Sequence, residues 1–318
     1  MATFKRGVLD IRALAVTIFS LVAGNALAVA AVFPLPPESV DIVGKLQVAR
    51  AGYEDTLADL ARRYGLGQDE ILWANPQVDK WLPGDGAPLV LPTRYILPDA
   101  PREGLVVNLP EMRLYYYPKP ARGEQPVVTT HPVSVGRMDW STPLGLTKVA
   151  AKTKDPAWYP PASVRAEHAA DGDPLPDVVP PGPDNPLGAY ALRLGLPGYL
   201  IHGTNRPYGV GMRVTHGCLR MYPEDIERLF PQVPVGTPVR LLNQPVKAAL
   251  IADTLFLEVH PPLDELPMDE EQAFRVALSA IAKAAGAGYP GLDEGRALEV
   301  IRRASGTPEI VSRRVVAR

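Results

Sequence analysis

The sequence has a single cysteine, Cys218, so its 318 residues can form no internal disulfide. It also lacks charge of either sign in excess. The 33 Lys and Arg against 35 Asp and Glu leave a formal net charge of −2, so no basic field points to nucleic acid. No acidic run suggests a solvating tail. Aromatic residues are sparse at 7%, whereas prolines number 36, which favours strands and loops over a helical bundle. Hydrophobic residues at 46% and charged residues at 21% are ordinary for a globular chain, and the length suffices for two domains with a smaller third unit.

The N-terminus reads as an export signal over residues 1–30. Lys5, Arg6 and Arg12 precede an apolar run over residues 13–23, Gly24 and Asn25 interrupt it, and Ala26-Leu27-Ala28 and Ala28-Val29-Ala30 both suit cleavage. An uncleaved membrane anchor is the alternative, since the apolar stretch continues weakly to Phe33. Either way the body of the protein is expected outside the cytoplasm. A lone thiol in an oxidising compartment is exposed to oxidation, so Cys218 calls for a reason. An inert core cysteine is the bland one.

Residues 43–93 follow a Pro-rich spacer, Pro34 to Pro37. Asp55-Thr56-Leu57 opens a helical pattern that Gly65 ends, and a second short helix covers residues 68–74. Asn75-Pro76 and Pro83-Gly84 then turn the chain into the strand-like Leu89-Val90-Leu91-Pro92. This strand–helix–helix–strand order, with D-T-L, A-N-P and a final L-x-L-P, resembles a lysin-motif (LysM) module, a unit that binds the N-acetyl sugar backbone of peptidoglycan. Tyr53-Glu54 departs from the pattern where a glycine usually precedes D-T-L, and a generic small α+β spacer is the other reading. Residues 103–243 turn to β texture, with short strands expected over 105–109, 113–117, 127–135, 145–151, 189–194, 199–202 and 239–242. The fold class expected is mainly β with α, a β-sandwich-like domain beside the small βααβ unit. Between Asp155 and Pro186 lie nine prolines, a long insert read as a lid. Residues 247–318 form a C-terminal extension with a strand over 254–259 and helices over 269–285 and 292–304, read as structural support.

The chemistry concentrates in Ile201-His202-Gly203-Thr204-Asn205-Arg206-Pro207 and Thr215-His216-Gly217-Cys218-Leu219-Arg220-Met221. A thiol attacks as thiolate, yet free cysteine has a pKa near ~8.5, so a neighbouring imidazole that takes its proton removes the limitation. Gly209 and Gly211 between the two segments allow the chain to fold back. A buried structural His/Cys pair is one alternative. A zinc site from His202, His216 and Cys218 is another.

The signature H-G-T-N followed by T-H-G-C-x-R resembles that of the L,D-transpeptidase catalytic domain. The likeness extends through V-V-N-L-P-E-M-R-L-Y-Y-Y, P-V-S-V-G-R, S-T-P-L-G, N-P-L-G-A-Y-A-L, M-Y-P-E-D-I-E-R-L-F and G-T-P-V, over residues 104–242. The resemblance implies Cys218 as nucleophile, His202 as base and later acid, and the Gly203 carbonyl as the group orienting the His202 ring. It implies amides of Gly217 and Cys218 aimed at the oxyanion, and His216, Thr215 and Arg220 on the substrate side, with Arg220 holding a carboxylate or serving as loop scaffold. The implied reaction releases D-Ala from a peptidoglycan tetrapeptide stem and passes the acyl group to an amine, giving 3–3 cross-links or lipoprotein attachment, in the periplasm and with no cofactor. With water as acceptor the enzyme would be an L,D-carboxypeptidase or endopeptidase. A wall-binding protein with an inactive second domain is the reading from another class. His131, His168 and His260 lack such context, and packing or surface roles are expected of them.

Overall fold

The computed structural model describes residues 31–38 and 40–312, and the expected export signal lies outside the described residues. Among the described residues no helix is long and apolar enough to cross a membrane. The N-terminal part runs through β1 (Ala31–Pro34), β2 (Ile42–Gly44), β3 (Gln47–Arg50), α1 (Leu57–Arg63), α2 (Gln68–Ala74), β4 (Pro88–Leu91) and β5 (Arg94–Ile96). Thr56 caps α1 and Asp59 reaches back to the Thr56 amide, a reciprocal pair that satisfies two otherwise orphaned donors. Strands β3 and β4 pair antiparallel, and α1 and α2 pack on them through Leu57, Leu60, Leu66, Ile71, Leu89 and Leu91. Asn75 explains the A-N-P signal. Its buried amide donates to the carbonyls of Ile71 and Val90 and accepts from the Val90 amide, each at 2.8 Å, pinning the end of α2 to β4.

The central part holds β6 (Gly104–Asn108), β7 (Arg113–Tyr117), β8 (Val127–Pro132), β9 (Val135–Gly136), β10 (Gly145–Lys154), α3 (Ala162–Ala170), β11 (Tyr190–Leu194), β12 (Leu200–His202), β13 (Arg213–Thr215), β14 (Leu219–Arg220), α4 (Pro223–Gln232) and β15 (Pro238–Leu242). The protein is mainly β with helices, as its sequence suggests. A nine-stranded sheet in the order β1-β8-β7-β6-β15-β10-β11-β12-β14 carries the core. Strands β6 and β7 are buried on both faces. Leu105, Val107, Leu114 and Tyr116 enter the main core with Leu192, Ile201, Met221, Ile226 and Leu229, whereas Val106, Tyr115 and Tyr117 meet Val43, Tyr95 and Leu97 behind the sheet.

Two expectations are refined. The Pro-rich insert is not all loop: it carries α3 after Pro160-Pro161, and a two-way backbone bridge between Trp158 and Val179 closes its neck. The C-terminal extension has more strand than expected, with β16 (Val246–Ile251), β17 (Thr254–Val259), α5 (Glu270–Ala285), α6 (Glu294–Arg303) and β18 (Glu309–Ile310). Strands β16, β17 and β18 form one sheet on which both helices pack, through Leu255, Leu257, Ala277, Ile281, Ala297 and Val300.

Candidate active site

Strands β12 and β14 run parallel, with Ile201 opposite Leu219 and His202 opposite Arg220. Cys218 stands one residue before β14. From ordinary strand spacing and rise, its Cα is about 8 Å from that of His202. The sixteen residues between them leave and return through a 3₁₀ turn, Pro207–Gly209, and through β13, which pairs parallel with β9. Tertiary structure thus gathers Thr215, His216, Gly217, Cys218, Arg220, His202 and Gly203 at one sheet edge.

His202 is buried, and its Nδ1 lies 2.7 Å from the Gly203 carbonyl. That partner can only accept, so Nδ1 carries the proton and Nε2 keeps its lone pair in the neutral ring. Burial, with the Arg220 guanidinium adding to it, lowers the His202 pKa to about 4, against the smaller opposing pull of the Gly203 and Leu187 carbonyls. Cys218 is half-buried and its thiol donates to the Gly198 carbonyl at 3.6 Å. Burial raises the thiol pKa, and the Leu200 backbone and Arg220 oppose this only in part. At rest the imidazole is therefore neutral and the thiol protonated.

The turn before the thiol is tightly fixed. Gly217 has φ +95°, and a Cβ there would stand 2.7 Å from the Tyr199 ring, so no other residue fits without movement. The Thr142 hydroxyl donates to the Gly217 carbonyl at 2.8 Å and accepts from the Gly136 amide at 3.1 Å. Because the peptide is trans, this aims the Cys218 amide away from Thr142. Thr215 is buried, and its hydroxyl donates to the Cys218 carbonyl at 2.6 Å, closing the turn.

Arg220 exchanges backbone hydrogen bonds with Ser134. Its Nε is buried without a partner, and burial and neighbouring Arg206 both lower its pKa. His216 is engaged elsewhere: its Nε2 meets Glu167 of α3 at 2.7 Å, and Trp140 stacks edge-on against its ring. His202, His216 and Cys218 do not converge as a metal set. Among the described residues the cluster with that geometry is Glu111, Glu258 and His260, and Lys247 already pairs with both carboxylates, its ammonium 2.9 Å from Glu111 and 2.7 Å from Glu258. His131 is buried beside Asp225, and His168 is partly exposed near Asp173. Sequence reading passed over Thr142, Arg137 and Glu167. Thr142 and Arg137 lie within the family-like segments S-T-P-L-G and P-V-S-V-G-R, but Glu167 sits in the insert with nothing local to mark it.

A β-rich domain that presents a histidine on one of two parallel strands and a cysteine just ahead of the other, with a glycine turn fixed before the thiol, suits acyl transfer through sulfur. Residues 102–241 match the YkuD family model, the L,D-transpeptidase catalytic domain. The chain is 41% identical over 296 residues to the probable L,D-transpeptidase YbiS of Escherichia coli K12, covering 91% of this chain and 95% of that protein. It is 42% identical over 286 residues to the probable L,D-transpeptidase ErfK/SrfK of Salmonella typhimurium, covering 88% and 91%. Among solved structures, the catalytic domain from the E. faecium L,D-transpeptidase aligns with 46% of this chain and 100% of its own, at 23% identity and a TM-score of 0.34. The chain belongs to the L,D-transpeptidase family.

Proposed function

We propose that this enzyme cleaves a peptidoglycan tetrapeptide stem after its third residue and transfers the acyl group, through a thioester on Cys218, to an amine. The observation that carries the proposal is the state of His202. Its Nδ1 proton is committed to the Gly203 carbonyl, and burial keeps the ring neutral, so Nε2 is a free base on the strand beside the thiol. Nε2 takes the thiol proton as sulfur bonds to the carbonyl carbon of the third residue. The oxyanion forms against the Cys218 amide, whose direction Thr142 sets through Gly217. Such a positioned donor is worth roughly 10²–10³ in rate, and the base about 10²–10⁴. The C–N bond to D-Ala then breaks, and its nitrogen leaves with the proton held by His202. An acceptor amine attacks the thioester, gives a proton back to His202, and the C–S bond breaks to restore the thiol.

Arg220, half-buried with its Nε unpartnered and free of any ion pair among the described residues, suits a stem carboxylate. Thr215 and Gly217 shape the turn. An amine on a second stem gives a 3–3 cross-link, and a lipoprotein lysine gives attachment. The N-terminal βααβ unit is read as a glycan-binding LysM-like module, supported by Tyr53, Trp81 and Leu82 exposed on its surface. The protein is expected in the periplasm, delivered by residues 1–30.

The test is incubation with tetrapeptide muropeptides and product identification by mass. Stem dimers joined through third residues, with D-Ala released, are expected, and none with Cys218→Ala. Tripeptide as sole product would replace transfer with hydrolysis. Undiminished turnover by Cys218→Ala would remove the nucleophile.

A further inference from the structure

The insert closes onto the active-site turn through one side chain. The Glu167 carboxylate uses both oxygens: Oε2 meets His216 Nε2 at 2.7 Å, and Oε1 accepts a short hydrogen bond from Arg137 Nη2. Both partners of the carboxylate are tied to the segment that carries the thiol. His216 stands two residues before Cys218, and the Arg137 amide donates to the Thr215 carbonyl at 3.1 Å. The carboxylate is tied to it only through α3, a nine-residue helix of which Val164 alone is buried. The guanidinium has spare capacity too, because Arg137 Nε is buried without a hydrogen-bond partner. Arg137 first, then His216, holds the Glu167 carboxyl down at about 2, so it stays anionic at any working pH.

A planar guanidinium and an imidazole that together grip both oxygens of one carboxylate form a carboxylate site by their own chemistry. Here the anion arrives on a weakly packed lid, while the donors belong to the body. We propose that Arg137 and His216 are a subsite for a carboxylate of the donor stem and that Glu167 is its internal stand-in. Stem binding and lid opening are then a single exchange of one carboxylate for another. The exchange keeps Arg137 and His216 paired throughout, whereas simple opening would strip both of their partner. This inference rests on the stem being the substrate, which carries a carboxylate at its C-terminal D-Ala and, where the third residue is diaminopimelate, one on that side chain.

Binding measured calorimetrically in a Cys218→Ala background, where nothing turns over, tests it. The ligands are the free-acid tetrapeptide stem and two analogues, one amidated at the C-terminus and one at the third side chain. Glu167→Gln should tighten the free-acid stem by roughly fivefold. One amide should show no gain, which identifies the carboxylate, and adding Arg137→Gln should erase the gain for the acid. Equal tightening of all three ligands, or none, would overturn the subsite and leave Glu167 as a simple obstruction. A second measurement needs no stem and so separates this inference from the proposed reaction. Alkylation of Cys218 in the otherwise unaltered protein is followed with iodoacetate and with uncharged iodoacetamide. Glu167→Gln should raise the iodoacetate-to-iodoacetamide rate ratio severalfold, and Glu167→Gln with Arg137→Gln should return it. A ratio indifferent to both changes would overturn the subsite even if the stem proved to be a true substrate.

Discussion

His202 is held neutral far below the point at which an exposed histidine would charge, and in the proposed reaction this sets the acid side. The neutral ring is the form that can accept the thiol proton, so acylation should rise with pH through about 4, where an ordinary histidine would place the rise near 6.5. Arg220 contributes to the depression, and Arg220→Gln should move the rise upward, toward the ordinary value. Single-turnover acylation followed against pH reads both. A wild-type rise near 6.5, unmoved by the substitution, would mean that the ring titrates in contact with water. At this scale the sequence was most informative. The lone cysteine, H-G-T-N and T-H-G-C-x-R are local, and they singled out Cys218 and His202 without coordinates. Glu167 is the opposite case, since its importance comes from meeting Arg137 and His216, 30 and 49 residues away.

Among the elements, α2 bears most directly on the site although it belongs to the N-terminal unit. Its first-turn amides donate to the loop that precedes β13, Gln68 to the Val210 carbonyl at 3.0 Å and Asp69 to that of Gly211 at 3.1 Å. The approach is so close that a Cβ on Gly211, at φ +80°, would stand 2.2 Å from the Gly67 Cα. Gly211→Ala should therefore push α2 and the loop apart, lowering the melting temperature and cutting kcat/KM about tenfold or more for the folded enzyme. Gly84→Ala is the control. Its φ of +92° carries the same backbone strain, but nothing lies within 4 Å, so a loss of about 1 kcal/mol without effect on kcat/KM is expected. Matching behaviour of the two variants would show that α2 does not hold the loop. The helices themselves were legible, because the Thr56 cap and the Asn75 stop are local signals. Their docking was not, since it depends on two glycines 144 residues apart (211 − 67) whose value lies only in their contact.

The whole molecule is joined by buried charge. Arg113, fully buried in β7, reaches Glu70 of α2 at 2.6 Å and stacks over Tyr95, linking the N-terminal unit to the sheet. On the other side, Lys247 of β16 binds Glu111, Glu258 and the Ile96 carbonyl, while His260 and the Ile96 amide complete the partners of Glu258. This cluster ties β5, the β6–β7 turn and the C-terminal sheet together. Breaking a buried pair strands its partner, and Lys247→Met leaves two carboxylates facing each other, so a loss of about 3–5 kcal/mol is expected in denaturant unfolding. A loss below about 1 kcal/mol would mean that water enters the cluster and solvates what remains.

What the sequence determined by itself is whatever depends on short-range pattern. This covers the mainly β texture, the capped helices, the glycine turn ahead of the lone thiol and the paired His202 and Cys218 segments, each written within a few residues. Only the tertiary structure decided that His202 stands opposite Arg220, that Thr142 aims the Cys218 amide, that α2 fastens the loop before β13 and that α3 brings the Glu167 carboxylate against Arg137 and His216. Those contacts join residues far apart in the chain. Their energy comes from burial and charge pairing after the chain has folded, and no local periodicity records it.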